Sequence, residues 1–524
     1  MNPSTTLART IVRQIIEAGI TDVVISPGSR NAPLSLAFYQ ASQAGKITLH
    51  LRIDERTAAF FALGITKATG RPVPVVCTSG TAVANYHPAI LEASHSNLPL
   101  LVLTADRPAN LRKTGSNQTT EQARIFGKAV RYFADISGSA YPMELPLHSV
   151  QTGPVHLNIQ FEEPLTSDGD DSWLKDISVK APRQFILKKP GTLKAKTDRG
   201  VIVIGHDRGG LSVEEVRTFT SAMKWPVIAE DPLSFPEAIS HASVFLTSQS
   251  VTDELTPDTV VVIGRTTLSR PINRFIKSAS REIVIDPRMA TVDTDRVATQ
   301  KFLAIPAVDV SEIDAAYKER WVKYGIRTAK LIEDMDQWSE QLVAREIGAS
   351  IPTGSSLFIS SSRPIRDIEG FASAREGVET FANRGLAGID GNISTALGIA
   401  SVRKETTAVL GDLSFLHDLT GLINNEKINA RFIVVDNNGG GIFSTLGHRG
   451  ADGFETIFGT PHNLDIAEVA SGLGITSSVI TSRAELIAEL SKPVVGISVV
   501  VVKVPDRESN ADHLLAIYKA IDSI

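Results

Sequence analysis

Two oxygen-bearing side chains stand at matching positions in the last third of the chain. Asp412 closely follows the apolar run TAVL, and Asn437 closely follows the apolar run FIVV. Their separation of 25 residues fits a strand end, a helix, a second strand and its end, so both side chains are expected at one edge of a parallel sheet. Mg²⁺ prefers oxygen ligands and is often bound by protein oxygens and phosphate oxygens together. The pair therefore predicts a site for a metal ion and a diphosphate.

A glycine-rich stretch, Asn437 to Phe443, completes this candidate site. Its glycines let the backbone approach a diphosphate closely and leave a carbonyl free to act as a ligand. Taken singly, Asp412 could be a helix cap and the glycines a plain turn, but the combined spacing favours the site. Asn437 and Asn438 both satisfy the spacing. We prefer Asn437, because Gly439 then supplies the carbonyl two residues later.

Glu55 is a second candidate, near the opposite end of the chain. It lies in Asp54-Glu55-Arg56, ahead of a helix predicted from Thr57 to Lys67, and the turn Ser79-Gly80-Thr81 follows the next predicted strand. Taken alone, Glu55 is better interpreted as a carboxylate that stabilises the positive end of the helix dipole.

The composition of the 524-residue chain excludes several classes of protein. There are 53 Lys and Arg against 58 Asp and Glu, and the net charge of −5 argues against nucleic-acid binding, which needs a basic surface. The hydrophobic content of 42% is that of a globular protein, and the length suggests about three domains. The single cysteine, Cys77, excludes an intrachain disulfide framework and multi-cysteine metal sites.

The hydrophobic pattern predicts a cytoplasmic α/β protein. No apolar run reaches the roughly 18–20 residues of a membrane span. The first residues lack a signal-peptide core, and Leu7, Ile11 and Ile15 recur on one face of a helix. Short apolar runs such as DVVI, LLVL, VIVI and FIVV alternate with helical patterns, which predicts three α/β domains with mainly parallel sheets.

The predicted domains span residues 1–180, 195–335 and 340–524. A polar, turn-rich stretch over residues 162–199 is interpreted as the first linker, and a charged helical segment over 310–347 leads into the third domain. The common nucleotide-binding loops are missing. The turn Gly205–Gly210 could cradle a phosphate, although a plain turn is the simpler interpretation.

The two candidate sites together resemble the two halves of a thiamine-diphosphate enzyme. More closely, nearly the whole chain is similar to the 2-succinyl-5-enolpyruvyl-6-hydroxy-3-cyclohexene-1-carboxylate synthase family of menaquinone biosynthesis. The stretches that carry this resemblance are residues 25–30, 54–56, 78–85, 104–108, 117–118, 383–385, 388–391, 411–414 and 437–443. The strings Ser-Pro-Gly-Ser-Arg and Thr-Ala-Asp-Arg-Pro are specific to this family, and most other thiamine enzymes carry Gly in place of Leu413.

The resemblance implies a pyrimidine-binding domain, a central domain and a diphosphate-binding domain, with thiamine diphosphate and Mg²⁺ or Mn²⁺ as cofactors. It implies a homodimer or homotetramer with active sites between subunits. The implied reaction is decarboxylation of 2-oxoglutarate and addition of the resulting succinyl-semialdehyde carbanion to isochorismate. No nucleic-acid partner is expected.

The resemblance also implies roles for individual residues. Glu55 would hydrogen-bond the aminopyrimidine ring and favour its imino tautomer, and Gln118 would position the second substrate or a water. The implied metal ligands are Asp412, Asn437 and the Gly439 carbonyl. The implied cofactor contacts are Glu55, Ser79, Gly80, Asp412, Leu413, Ser414, Asn437, Gly439, Gly441, Ile442 and Phe443. The implied substrate contacts are Ser29, Arg30, Arg107, Asn117, Gln118, Arg270, Ser362, Arg366, Arg384, Ile442, Phe443 and Leu446.

The arginines are chemically apt, because both substrates carry two carboxylates and arginine binds a carboxylate bidentately. One position departs from the family, since Pro271 follows Arg270 where some relatives carry a second basic residue. Two other functions stay open. A thiamine decarboxylase acting on pyruvate would need fewer arginines, and a non-catalytic diphosphate-binding regulator would not need Glu55.

Overall fold

The computed structural model describes residues 2–138, 144–180, 191–288, 292–310, 314–423 and 426–524. The chain divides into two compact units. Unit 1 comprises Met1–Ile186, Asp390–Arg403 and His417–Ile428. Unit 2 comprises Leu187–Ile389, Lys404–Leu416 and Asn429–Ile524.

The strands, numbered in chain order, are β1 Asp22–Ile25, β2 Thr48–Leu51, β3 Val73–Cys77, β4 Leu100–Asp106, β5 Tyr132–Ile136, β6 Val155–Gln160, β7 Thr192–Ala195, β8 Gly200–Ile204, β9 Val227–Ala229, β10 Thr259–Ile263, β11 Arg281–Ile285, β12 Gln300–Phe302, β13 Ala307–Val310, β14 Ser356–Ile359, β15 Glu379–Phe381, β16 Thr406–Gly411, β17 Ala430–Asp436, β18 Thr476–Ile480 and β19 Ile497–Lys503.

The α-helices, numbered in the same way, are α1 Pro3–Glu17, α2 Ala32–Gln43, α3 Glu55–Thr69, α4 Thr81–Asn85, α5 His87–Ser96, α6 Val213–Met223, α7 Ala242–Phe245, α8 Gln249–Leu255, α9 Arg270–Ser278, α10 Ala315–Asp334, α11 Glu340–Ser350, α12 Arg363–Phe371, α13 Asn392–Ala400, α14 Asp412–His417, α15 Ile466–Gly472, α16 Arg483–Leu490 and α17 Arg507–Ile521.

Unit 1 is built on a six-stranded parallel sheet with strand order β2-β1-β3-β4-β6-β5. The central strands β1, β3 and β4 are buried along their whole length, as their continuous apolar runs predict. Helix α1 buries Leu7, Ile11 and Ile15 in the core, which confirms the face predicted from their spacing.

Glycines bring α3 and α13 into close contact within unit 1. A Cβ atom added to Gly64 would lie 2.1 Å from the Thr395 carbonyl oxygen. A Cβ atom added to Gly398 would lie 2.1 Å from the Phe61 carbonyl oxygen. Only glycine permits this approach, so the contact fixes α3, the helix that begins at Glu55.

Unit 2 contains two larger parallel sheets and a two-stranded one. The five-stranded sheet has the order β12-β11-β10-β8-β9, the six-stranded sheet has the order β15-β14-β16-β17-β19-β18, and β13 pairs with β7. Gly411 at the end of β16 is in register with Val435 of β17. The loops that carry Asp412 and Asn437 therefore leave adjacent strands at the same edge, as their spacing predicts.

The parallel sheets covered by helices confirm the α/β fold class. The predicted linker over residues 162–199 is wrong in part: Leu165 and Leu174 are buried in the core of unit 1, and residues 192–195 form β7. Residues 181–190 of that stretch lie outside the described residues. Among the helices that the structure describes, none combines the length and the apolar character needed to cross a membrane.

Candidate active site

A carboxylate bridges the two loops at the carboxyl edge of the six-stranded sheet. Asp412 is buried at the start of α14, and its Oδ1 accepts a hydrogen bond from the Leu413 amide at 2.6 Å. Its Oδ2 accepts one from the Gly439 amide at 2.7 Å. The Asp412 side chain therefore sets the position of the glycine-rich loop as well as its own.

Asn437 offers an amide oxygen in the same place. Its Nδ2 donates to Glu340 Oε1, while its Oδ1 is buried without a hydrogen-bond partner among the described residues. Buried polar atoms are nearly always paired, so an unpaired amide oxygen beside a carboxylate is the arrangement expected of a cation ligand. The donor set present at this edge therefore fits a divalent metal ion.

His462 lies against Asp412 on the other side. Its Nε2 is 3.3 Å from Asp412 Oδ2 and 3.7 Å from Asp436 Oδ1. The hydrogen bond to Asp412 raises the pKa of His462, and partial burial opposes that effect. Asp412, Asp436 and His462 place potential ligand atoms within 4.8 Å of one another. Lys503, which contacts Asp436 at 2.5 Å, offsets part of this negative charge.

A cavity of about 190 Å³ opens at these loops within unit 2. The residues proposed from sequence that line it are Ser362, Asp412, Leu413, Ser414, Asn437, Gly439, Gly441, Ile442 and Phe443. The remainder of the wall is partly apolar, with Val343, Ala344 and Ile347 from α11. The structure thus gathers around one cavity the predicted diphosphate and metal contacts of the C-terminal part of the chain.

A second cavity of about 230 Å³ shares Arg363, Asp367 and Ile442 with the first. Predicted substrate residues that line it are Arg270, Arg366, Ile442 and Leu446. Burial and the neighbouring charges of Arg363 and Arg384 lower the pKa of Arg366 to about 10. Its guanidinium therefore stays protonated at neutral pH and gives this cavity a half-buried positive charge.

Arg384 does not line either of these two cavities. It is 2% exposed, and its Nη2 lies 2.8 Å from Oε1 of Glu230, which is 1% exposed. Glu230 also accepts the backbone amides of His206 at 3.0 Å and Leu268 at 3.2 Å. One buried carboxylate thus joins Arg384 to the loop that leads into Arg270.

In unit 1, Glu55 is the first residue of α3. The preceding Asp54 caps the helix by accepting the Arg56 amide at 2.9 Å. Partial burial raises the pKa of the Glu55 carboxyl, and the charge of Asp54 adds to the effect. A carboxyl group that keeps its proton to higher pH is suited to a hydrogen bond with a ring nitrogen.

Three residues proposed from sequence form one hydrogen-bonded group beside the β3 turn. Ser79 Oγ donates to the Gln118 carbonyl at 2.9 Å, and Gln118 Nε2 donates to the Ser79 carbonyl at 3.0 Å. Arg107 Nη1 donates to both Ser79 Oγ, at 2.9 Å, and the Gln118 carbonyl, at 2.8 Å. Gly80, with φ of +86°, follows in a conformation that favours glycine.

Arg30 carries a second positive charge near this group. Burial and the charge of Arg107 both lower the pKa of Arg30. Its Nη1 donates to the Phe161 carbonyl at 3.0 Å and lies 3.5 Å from Glu163. Ser29 precedes Arg30 in the sequence, Asn117 precedes Gln118, and both residues are exposed. Unit 1 therefore presents two neighbouring guanidinium groups, a pattern suited to a carboxylate ligand.

Sequence reasoning missed Glu340, Glu230 and His462. Glu340 follows Ser339, which caps α11, and so has the appearance of an ordinary first-turn acidic residue. Glu230 follows a buried strand, β9, but its partner Arg384 lies 154 residues away. The hydrogen bond from Asn437 to Glu340 also spans 97 residues. No local spacing could reveal these pairs.

Comparison with known proteins places the chain among thiamine-diphosphate enzymes. Residues 5–125 match the family model "Thiamine pyrophosphate enzyme, N-terminal TPP binding domain". Residues 167–359 match "Middle domain of thiamine pyrophosphate". Residues 369–504 match "Thiamine pyrophosphate enzyme, C-terminal TPP binding domain". The α/β units and the loop cavity thus belong to an enzyme that depends on thiamine diphosphate.

Curated relatives narrow the family. Proteins named 2-succinyl-5-enolpyruvyl-6-hydroxy-3-cyclohexene-1-carboxylate synthase match at 37% identity in Thermobifida fusca, covering 99% of both chains, and at 39% in a Nocardioides species, covering 95% of this chain and 94% of the relative. A third, from Geobacillus kaustophilus, is 35% identical and covers 97% and 96%. The chain belongs to this synthase family, which confirms the resemblance described from the sequence.

We predict that Glu230 and Arg384 are strongly coupled. Glu230→Leu leaves Arg384 buried without its partner, so the free energy of unfolding in urea should fall by about 3–5 kcal/mol. The double variant Glu230→Leu, Arg384→Met should lose less than the sum of the two single losses. As a control, Asp295→Leu removes an exposed ion pair with Lys277 and should cost about 0–1 kcal/mol. Equal losses for Glu230→Leu and Asp295→Leu would contradict the prediction.

Proposed function

We propose that the protein decarboxylates 2-oxoglutarate and adds the resulting succinyl-semialdehyde carbanion to isochorismate, giving 2-succinyl-5-enolpyruvyl-6-hydroxy-3-cyclohexene-1-carboxylate and CO₂ in menaquinone biosynthesis. The observation that carries this proposal is a pair of cavities in unit 2 that share three lining residues. One is lined by the cofactor loops, and the other by Arg366 and Arg270. The name of the curated relatives agrees with it.

Thiamine diphosphate supplies a nucleophilic carbon on which a 2-oxo acid can lose CO₂. In the proposal, Asp412, Asn437 and the Gly439 carbonyl hold Mg²⁺ or Mn²⁺ against its diphosphate. The unpaired Oδ1 of Asn437 and the buried Asp412 carboxylate support this assignment. Ile442 and Phe443 form an apolar wall next to the diphosphate contacts and exclude water from the reacting atoms.

Glu55 would hydrogen-bond a nitrogen of the aminopyrimidine ring. A carboxyl with a raised pKa can donate to a ring nitrogen and favour the imino form of the ring, and low local dielectric strengthens that hydrogen bond. Ser79 and Gly80 contact the same ring in the proposal. The Gln118 side chain donates to the Ser79 carbonyl. In the proposal, Gln118 positions the second substrate or a water.

The arginines give the site its preference for dicarboxylate substrates. Arg366 and Arg270 line the second cavity, and Arg30 and Arg107 form the neighbouring pair of unit 1. A monocarboxylate such as pyruvate forms fewer charge-assisted hydrogen bonds with these guanidinium groups than a dicarboxylate does, which disfavours it. We propose Ser29, Asn117, Ser362 and Leu446 as further substrate contacts. Arg384, expected from the sequence to contact substrate, is buried against Glu230 and lines neither cavity, so we do not assign it that role.

The direct test is isochorismate consumption by the purified protein with thiamine diphosphate, Mg²⁺ and 2-oxoglutarate, each omitted in turn. We expect consumption only when all three are present. Pyruvate in place of 2-oxoglutarate serves as the control for the dicarboxylate preference. Release of CO₂ without loss of isochorismate would contradict the assigned acceptor, and turnover with pyruvate at the same rate would contradict the role of the arginines.

Glu55→Gln should reduce the rate of carboligation by at least about 10²-fold, because the amide side chain cannot gain and lose a proton as the carboxyl group can. Binding of Mn²⁺ with thiamine diphosphate should persist, since the proposed ligands are untouched. Initial rates and Mn²⁺ titrations measure the two effects. Glu17→Gln removes a carboxylate that pairs with Arg13 and Lys180 in the same unit and should leave both unchanged. Wild-type turnover by Glu55→Gln would overturn the mechanism.

We further propose that the active unit is a homodimer, or a homotetramer made of such dimers, in which Glu55 of one chain works with Asp412 of the other. Support comes from the family resemblance. Homodimers of Glu55→Ala and Asp412→Ala should each be inactive. After subunit exchange at equal amounts, half of the dimers are mixed and hold one intact site, so about a quarter of wild-type activity should return. Sites built within one chain would give no recovery.

A further inference from the structure

We propose that Glu340 is a positioning residue for the metal site: it holds the amide group of Asn437 so that the oxygen, and not the nitrogen, faces the divalent cation. This inference rests on the metal ligands proposed above. The observation behind it is the hydrogen bond from Asn437 Nδ2 to Glu340 Oε1, together with the unpaired, buried Oδ1 on the other side of the same amide.

An asparagine amide needs such a constraint. Its oxygen accepts hydrogen bonds and can ligate a cation, whereas its NH₂ group only donates and cannot. The two ends have nearly the same shape, so packing alone does not choose between them. A carboxylate accepts hydrogen bonds and does not donate, so Glu340 admits the NH₂ end and excludes the oxygen end.

Glu340 is itself held firmly. Its backbone amide donates to Asn510 Oδ1 at 2.9 Å, and the preceding Ser339 caps α11. Its second carboxylate oxygen, Oε2, lies 3.6 Å from Arg363 Nε. Arg363 in turn contacts the Asp367 carboxylate. With Oε2 engaged by Arg363, Oε1 is the oxygen that remains to accept Asn437.

Gly441 leaves the space that this pair requires. A Cβ atom at position 441 would lie 2.2 Å from Asn437 Nδ2 and 3.3 Å from Glu340 Oε1. Any larger residue would push the amide out of its place against the carboxylate. The glycine-rich loop therefore serves the orientation of Asn437 as well as the approach of a diphosphate.

A simpler role for Glu340 is to neutralise Arg363. Glu340→Asp separates the two roles, because it keeps the charge but withdraws the acceptor by one methylene. Glu340→Gln weakens the site under either role, because it loses the charge and also gains an NH₂ group that can donate to Asn437 Oδ1.

The experiment is an Mn²⁺ titration of the purified full chain with thiamine diphosphate, followed by the electron paramagnetic resonance signal of free Mn²⁺. Loss of a group that orients a ligand typically weakens metal binding by about 10–100-fold, and we expect this for Glu340→Leu and Glu340→Asp. Glu340→Gln should weaken binding as well, because its NH₂ group can donate to Asn437 Oδ1 and so no longer excludes the wrong orientation of the amide. The matched control is Glu346→Leu, a buried glutamate on the same helix that pairs with Arg345 and Arg483 and should leave the Mn²⁺ affinity unchanged.

Each outcome separates this inference from the metal site on which it rests. Absence of Mn²⁺ binding by wild type, or wild-type affinity in Asn437→Ala, would overturn the proposed metal site. With that site intact, wild-type affinity in Glu340→Asp would overturn the positioning role and leave neutralisation of Arg363. Equal weakening by Glu346→Leu would also overturn it. Glu340→Asp keeps the test valid if Glu340→Leu does not fold.

Discussion

The hydrogen bond from the Gly439 amide to Asp412 Oδ2 holds together the part of the molecule on which its chemistry depends. It joins two loops that leave adjacent parallel strands, β16 and β17, whose register brings their ends side by side. A parallel sheet places the carboxyl ends of its strands at one edge, but their loops are free to diverge. The buried Asp412 carboxylate fixes the two loops to each other, so that both line the same cavity.

The neighbourhood of that wall is rich in buried charge. Arg363, Arg384, Glu230 and Glu340 are each less than a tenth exposed, and each lies beside an opposite charge. Removing ions from water costs several kcal/mol each, and attraction in the protein interior offsets this only when partners are well placed. Such a network therefore contributes little to stability by itself. It suits a site whose side chains must be held in fixed orientations.

The sequence predicted those parts of the fold that depend on local pattern. The fully buried strands β3 and β4 and the almost fully buried β17 are mostly apolar runs, and they were predicted correctly. The edge strands β2, β5 and β18 were missed, because each mixes exposed polar positions with few buried ones. The fold class and the synthase family are confirmed, whereas the domain boundaries and the individual site residues remain predictions.

The candidate site also contains some residues that local sequence patterns predict and others that they do not. Asp412 and Asn437 could be found because strand ends in a parallel sheet impose a spacing along the chain. Glu340 and Glu230 could not, because the hydrogen bonds that they accept from Asn437 and Arg384 join segments 97 and 154 residues apart. Such pairs are fixed by packing in three dimensions, and no periodicity or short motif encodes them.

The interleaving of the two units has a consequence for synthesis of the protein. Helix α13, which packs its glycine against α3, belongs to unit 1 but is encoded after most of unit 2. The first sheet and α3 are therefore made long before α13. At about 5–20 residues per second, a ribosome takes roughly 10–50 s to add the chain between Ile186 and Ile428. During that interval α3 can pack against β1, β3 and α5 of its own unit, but the face around Gly64 is not yet covered by α13.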